Sequence, residues 1–283
     1  MKTLAFIAHP YHRLTGSTQI FDFLSEYFVV KKFYDNRWGT GTVDVDEIKT
    51  FDINFYFQTT PIFPHKNLVW TPMVDDNIFT DIPNVKYLCL CKWLYESLKD
   101  VQKMYAQYWK KPEDFNSSNS KVIMFWNRKP DIAWDNVKKF FLTEKIDKVY
   151  FKNSPDPSFD KVVVSQEDIE RFNVQMVEFE EEKIYNERMK EVTILICPRS
   201  VEGVGLFMLD GFSRGCLVFG YDNPTMNEYI VNLENGILFN SWCYNPLNLW
   251  NFQQIREKSY SSCVNGYNDW IKSIPEILSF IES

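Results

Sequence analysis

Short, almost wholly apolar runs recur along this chain, with polar segments between them. The first, LAFIA at 4–8, reads as a strand buried on both faces. His9-Pro10 ends it, and Thr15-Gly16-Ser17-Thr18 forms a turn. Over 19–30 the apolar residues Ile20, Phe21, Phe23, Leu24, Tyr27 and Phe28 recur at helical spacing, with Ser17 or Thr18 as the N-cap. A strand is expected at 32–34, and further strands at 53–57, 68–71 and 85–90. A helical stretch follows over 93–109. This strand–loop–helix–strand opening is that of a doubly wound α/β domain.

The segment KKPEDFNSSNS at 110–120 is polar and rich in Asn and Ser, and it reads as a linker. The alternation then restarts. A strand opens at Lys121 in VIMFW, with a helix over 134–142 and a strand at 148–151. Strand-like runs follow at 162–164 and 174–177, a helix over 180–190 and a strand at 192–197. Next come a helix over 205–212 and a strand at 217–220, and the tail from Pro246 carries one or two amphipathic helices. The expected division is an N-terminal Rossmann-like domain at 1–112, a second at 113–260, and a C-terminal helix at 261–283 that packs back on the first domain.

Composition narrows the picture. The chain has 283 residues, 45% of them hydrophobic and 24% charged, which suits a folded protein with a sizeable core. Its net charge of -7 argues against nucleic acid as a partner. The lysine pairs 31–32, 110–111 and 138–139 are scattered, so they suit solvated faces or at most a weak peripheral membrane contact. The cysteines at 89, 91, 197, 216, 243 and 263 contain no CxxC pair, which fits a reducing compartment better than a zinc or disulfide framework. The N-terminus has no leader-like apolar region and no run has the length of a membrane span, so a soluble, cytoplasmic protein is expected.

The stretch with most chemistry is 197–240, CPRSVEGVGLFMLDGFSRGCLVFGYDNPTMNEYIVNLENGILFN. A buried strand ends at Cys197-Pro198, a short loop runs to Glu202, and Gly203 and Gly205 open a helix. Such a helix start offers unpaired backbone N–H groups and a positive dipole end, which suits a diphosphate. Glu202 and Asp210 are eight residues apart, so they sit at similar azimuth on the helix. Two carboxylates along one edge can accept from sugar and ribose hydroxyls, and an ordinary βα unit with solvent-facing acids has the same spacing.

This stretch resembles the donor motif of the retaining GT-B glycosyltransferases of the "glycosyl transferases group 1" type. In Ser200-Val201-Glu202-Gly203-Val204-Gly205-Leu206, the part from Glu202 resembles the Glu-Gly-x-Gly-Leu of the family's Ser-x-x-Glu-Gly-x-Gly-Leu, with Ser200 one position nearer the glutamate than the family's serine. Leu209-Asp210-Gly211 stands where Leu-Glu-Ala is usual, and Gly215 with Leu217-Val218-Phe219 follows in order. Residues 223–230 and 234–238 match the family's closing elements. The resemblance implies an α/β GT-B fold with two Rossmann-like domains facing a central cleft. It implies transfer of a sugar from a nucleotide-sugar donor to a glycan, polysaccharide or lipid-linked acceptor, with retention of configuration. It implies that Glu202 contacts the donor sugar, that Asp210 binds the ribose, and that Gly203, Val204, Gly205 and Leu206 supply amides. Arg128 corresponds to the arginine that neutralises the leaving diphosphate. The family's lysine would fall at Ala133, so Lys129 is the substitute candidate.

On the acceptor side, the loop after the first strand offers His12, Thr15, Gly16 and Ser17, and the segment after the strand at 68–71 offers Asp75 and Asp76. His9 and His12 suit a polar contact or a structural loop better than a metal site. No metal or other cofactor is expected; the donor is a substrate. Other readings are a non-catalytic nucleotide-sugar-binding or assembly protein, a GT-A enzyme with Asp44-Val45-Asp46 as its metal site, and an NAD-dependent oxidoreductase. The last lacks the GxGxxG fingerprint after the first strand.

Overall fold

A computed structural model describes residues 1–35, 43–61, 63–74, 84–178, 181–242 and 244–283. The chain divides into two compact units, Met1–Tyr108 with Asn268–Ser283, and Trp109–Tyr267. Each is built on its own six-stranded parallel sheet.

In unit 1 the strands are β1 (Thr3–Ala8), β2 (Val29–Tyr34), β3 (Ile53–Phe57), β4 (Leu68–Thr71), β5 (Val85–Cys89) and β6 (Gln102–Tyr105), in the order β2-β1-β3-β4-β5-β6. Every residue of β3, β4 and β5 is buried. That is why these strands appear in sequence as unbroken apolar runs rather than alternating ones. The helices are short: α1 (His12–Thr15), α2 (Leu24–Tyr27), α3 (Val45–Ile48) and α4 (Lys92–Ser97).

Two expected helices are corrected here. Residues 19–30 do not form one helix; a 3-10 turn at Ser17–Phe21 leads to α2, and 29–30 already belong to β2. Phe21 packs on Phe55 at 4.8 Å between ring centroids, while Phe23 packs on Trp270 at 6.1 Å. Residues two apart that both seek apolar partners cannot share one helix face. The helix expected over 93–109 stops at Leu98, whose ψ of 129° is extended. Asp100 then turns the chain at φ 56°, and β6 pairs with β5 at the sheet edge.

Unit 2 carries β7 (Val122–Trp126), β8 (Lys148–Lys152), β9 (Val174–Val177), β10 (Ile194–Ile196), β11 (Leu217–Tyr221) and β12 (Ile237–Phe239), in the order β12-β11-β10-β7-β8-β9. Its helices are α5 (Trp134–Val137), α6 (Gln166–Phe172), α7 (Glu182–Met189) and α8 (Leu206–Ser213); the long α9 (Phe252–Glu282) is a single helix whose residues up to Tyr267 belong to unit 2 and whose residues from Asn268 belong to unit 1. One core of aliphatic and aromatic side chains, including Phe125, Trp134, Phe151 and Phe219, joins the sheet to α5 and α6. The strand expected at 162–164 is absent: Val163 is 93% exposed, and Val162 instead donates its N–H to Asn153 Oδ1. The polar segment read as a linker lies within unit 2. Its Glu113 N–H donates to Ser213 O, and the fully buried Arg256 donates to Asn116 O and Ser118 O. Among the described residues no helix is long and apolar enough to cross a membrane.

Candidate functional site

The sheet order of unit 2 decides where a ligand can sit. The chain starts at β7, runs outward through β8 and β9, then returns to β10 on the other side of β7. Connections leaving β7 and β10 therefore diverge to opposite faces, and the carboxyl ends of these two strands border a crevice. The loop after β7 begins Asn127-Arg128-Lys129, and the loop after β10 runs from Cys197 to Gly205.

These two loops bring three charged side chains together. Arg128 Nη1 lies 3.8 Å from Glu202 Oε1, and Arg199 Nη1 lies 3.6 Å from Glu202 Oε2. The Glu202 side chain is 12% exposed, so the carboxylate is held in a partly dry setting where charge acts strongly. Arg128 is oriented from behind: its Nε donates to Asp156 Oδ1 at 2.8 Å, and its guanidinium lies over the Trp126 ring at 4.9 Å.

The loop after β10 is itself pinned. Ser200 N–H donates to Asp131 Oδ2 at 2.9 Å, and Thr225 Oγ1 donates to the carbonyls of Glu202 and Gly203 at 2.6 and 3.0 Å. Gly205 then adopts φ 70°, ψ 47°, a left-handed conformation that glycine reaches at no steric cost. It starts α8 as the N-cap residue and, being glycine, brings no side chain of its own to cap that helix. The first N–H groups of an α-helix lack intrahelical acceptors, so this end can take the oxygens of an anion. The Cys197 thiol at the strand end is pushed well up by burial and then by Glu202, so it is no nucleophile at neutral pH.

Gly203, Val204 and Gly205 lie between Glu202 and α8, and Leu206 is the first residue of that helix. Lys129 is half-buried at the start of the 3-10 turn Pro130–Ile132. Asp210 is on α8 but is engaged elsewhere: its two oxygens take the Lys110 ammonium and the Tyr185 hydroxyl. Arg199 and Asp156 are the charged residues that reading by motif missed. Arg199 carried one signal, its place three residues before Glu202 in the same loop; Asp156 carried none.

In unit 1, β1 leads into the loop that holds His9 and His12. His12 is 8% exposed, opens α1, and packs edge-on against Phe57 at 5.1 Å. Burial lowers the His9 imidazole below its ordinary value, against the pull of Asp35. Thr15 ends α1, Gly16 follows at φ 66°, and Ser17 opens the 3-10 turn. The buried hydroxyls of Thr59, just beyond β3, and Thr71, at the end of β4, have no hydrogen-bond partner among the described residues. Asp75 and Asp76 lie outside the described residues. Asp44, the first acid of the Asp-x-Asp sequence, caps α3 by accepting from the N–H groups of Asp46 and Glu47 at 3.0 and 3.2 Å.

Known structures were compared with this architecture. Sucrose-phosphate synthase from Thermosynechococcus elongatus superposes with a TM-score of 0.70 at 8% identity, covering 99% of both chains. Anabaena Alr3699/HepE, solved in complex with UDP and glucose, gives 0.62 at 10% identity, over 99% of this chain and 100% of that one. The fold is that of GT-B glycosyltransferases. S. aureus TarM gives 0.57 at 13% identity over 82% of this chain, which spans only 55% of TarM. No family model and no curated protein sequence matches the chain.

Proposed function

We propose that this protein is a retaining glycosyltransferase that moves a sugar from a nucleotide-sugar donor to a glycan, polysaccharide or lipid-linked acceptor. The observation that carries the reading is the convergence of Arg128, Arg199 and Glu202 at the β7–β10 crevice, beside the glycine start of α8. Breaking a glycosyl–phosphate bond leaves negative charge on a diphosphate. Two guanidiniums and a helix N-terminus, fixed in place before the reaction, stabilise that charge as it develops. Glu202 is acceptor-only when ionised, so it suits the hydroxyls of the transferred sugar. HepE, the neighbour solved with UDP and glucose, supports a uridine nucleotide as the first donor to try.

The test is calorimetric titration with UDP, GDP, dTDP and CMP, followed by sugar-nucleotide hydrolysis assays on the wild type, Arg128→Ala and Glu202→Ala. Loss of turnover in both variants, with nucleotide affinity reduced mainly in Arg128→Ala, is the expected result. Unchanged turnover in both refutes the site. Nucleotide-sugar binding with no turnover under any acceptor supports a non-catalytic binder instead.

A further inference from the structure

Asp210 stands eight residues beyond Glu202, where the motif leads one to expect a carboxylate for the nucleotide ribose. Its surroundings describe another occupation. Oδ1 is ion-paired with the Lys110 ammonium, and Oδ2 accepts from the Tyr185 hydroxyl at 3.0 Å. Lys110 Nζ also lies 3.0 Å from Glu113 Oε1, and Glu113 Oε2 takes Arg214 Nη1 at 2.6 Å. Arg214 Nη2 donates to Asn186 Oδ1 at 3.0 Å, next to Tyr185 on α7. The network closes on itself across three pieces of chain: the segment before β7, α7 and α8.

The network is shielded at its Asp210 and Arg214 members, while Lys110 and Glu113 are about a third exposed. The side chain of Asp210 is 18% exposed and that of Arg214 is 4% exposed. Burial would lower the Lys110 ammonium, yet Asp210 and then Glu113 hold it above its ordinary value. The Tyr185 phenol is raised well above its own, first by burial and then by Asp210, so it remains a donor. A ribose hydroxyl reaching Asp210 meets a carboxylate whose two oxygens are already engaged, one by an ammonium and one by a phenol, so the lone pairs that remain accept more weakly than those of a free carboxylate. Were it to take the place of either partner, it would offer a neutral donor for the ammonium or leave the Tyr185 phenol without its acceptor, while Lys110 would keep Glu113. Aspartate is also one methylene shorter than the usual glutamate, which keeps its carboxylate close to α8.

Building on the donor-site reading above, we infer that Asp210 anchors the 110–113 segment and α7 to α8 and does not read the nucleotide ribose. The donor site therefore draws no preference for ribo- over 2′-deoxyribonucleotides from this residue.

The experiment titrates UDP and 2′-deoxy-UDP into the full chain as wild type, Asp210→Asn and Tyr185→Phe, with a thermal melt of each. Both variants are expected to melt lower than the wild type. The ratio of the two nucleotide affinities is expected to change by less than about threefold in either. A larger collapse of the ratio in Asp210→Asn overturns the inference. So does a gain in UDP affinity above about threefold in Tyr185→Phe, which would show Asp210 turning to the ribose once released. Tyr185→Phe removes a single oxygen and keeps the test decisive if Asp210→Asn does not fold. Failure of the wild type to bind either nucleotide overturns the donor-site reading itself, and this inference with it.

Discussion

Replacing Lys86 by methionine should leave the protein at least as stable at pH 7 and flatten its response to alkali. Lys86 is on β5 and 5% exposed, yet it carries an ammonium. Its Nζ donates to Ile281 O at 2.8 Å, and Asn67 Nδ2 donates to the same carbonyl at 3.0 Å. This carbonyl belongs to the last turn of α9, where intrahelical donors run out. Burial, with a smaller push from Lys2, lowers the Lys86 pKa from 10.5 to about 8. A fall of that size corresponds to about 3 kcal/mol held against the charged form in the folded state. Below about pH 8 both folded and unfolded chains carry the proton, so the cost is constant. Between about 8 and 10.5 the unfolded chain binds more protons, so stability rises with pH. From pH 7 to 9.5 this group adds about 2 kcal/mol to the wild type and nothing to Lys86→Met. The variant keeps most of the apolar stem and leaves Ile281 O with its Asn67 donor. Losing the lysine's charge-assisted bond costs about 2 kcal/mol, less than the ammonium's burial, so a net gain of about 1 kcal/mol is expected at pH 7. Urea unfolding followed by circular dichroism at pH 7 and 9.5 measures both numbers. A variant that is less stable at pH 7, with the wild type's pH dependence intact, would refute the reasoning.

Three further outcomes are expected. Arg256→Lys should lower the stability of unit 2 by about 2–4 kcal/mol in denaturant melts, because a single ammonium cannot replace the fork that serves the carbonyls of Gly215, Ser118 and Asn116. Gly205→Ala should cost about 1–2 kcal/mol from the left-handed backbone, and crowd Met208 Cε at 3.1 Å. It should also weaken nucleotide binding by calorimetry; unaltered affinity would mean that the α8 start is not used. Ser165→Ala removes the N-cap of α6, whose oxygen accepts from Asp168 N–H at 3.1 Å. It should lower the urea-derived stability by about 1 kcal/mol without touching nucleotide affinity.

Much of this architecture was legible in the chain. β1, β3, β4, β5, β7 and β10 are apolar runs because both faces of a parallel sheet are covered, and the pattern survives reading by eye. β6 and β12 were not read as strands. β6, QKMY, alternates too little to declare itself, and it is a strand because β5 offers an edge to pair with. The run of aromatics at 19–30 misled for the opposite reason: its spacing suits a helix, but its rings pack in divergent directions. The loop with Glu202 was visible as a motif, whereas Arg199 acquired meaning only from its distance to that carboxylate.

Asp210 marks the boundary most clearly. Its type and its place eight residues past Glu202 are sequence facts, set by the pitch of one helix. Its partner Lys110 is 100 residues away, and Tyr185 is 25 away on another helix. Local patterning, which depends on neighbours within a turn or two, determined by itself that the long apolar runs became strands and where the donor-like loop lies. The order of strands, the crevice between β7 and β10, and the partners that occupy each carboxylate were decided by tertiary structure, because charge and hydrogen bonding act through space between residues that periodicity cannot connect.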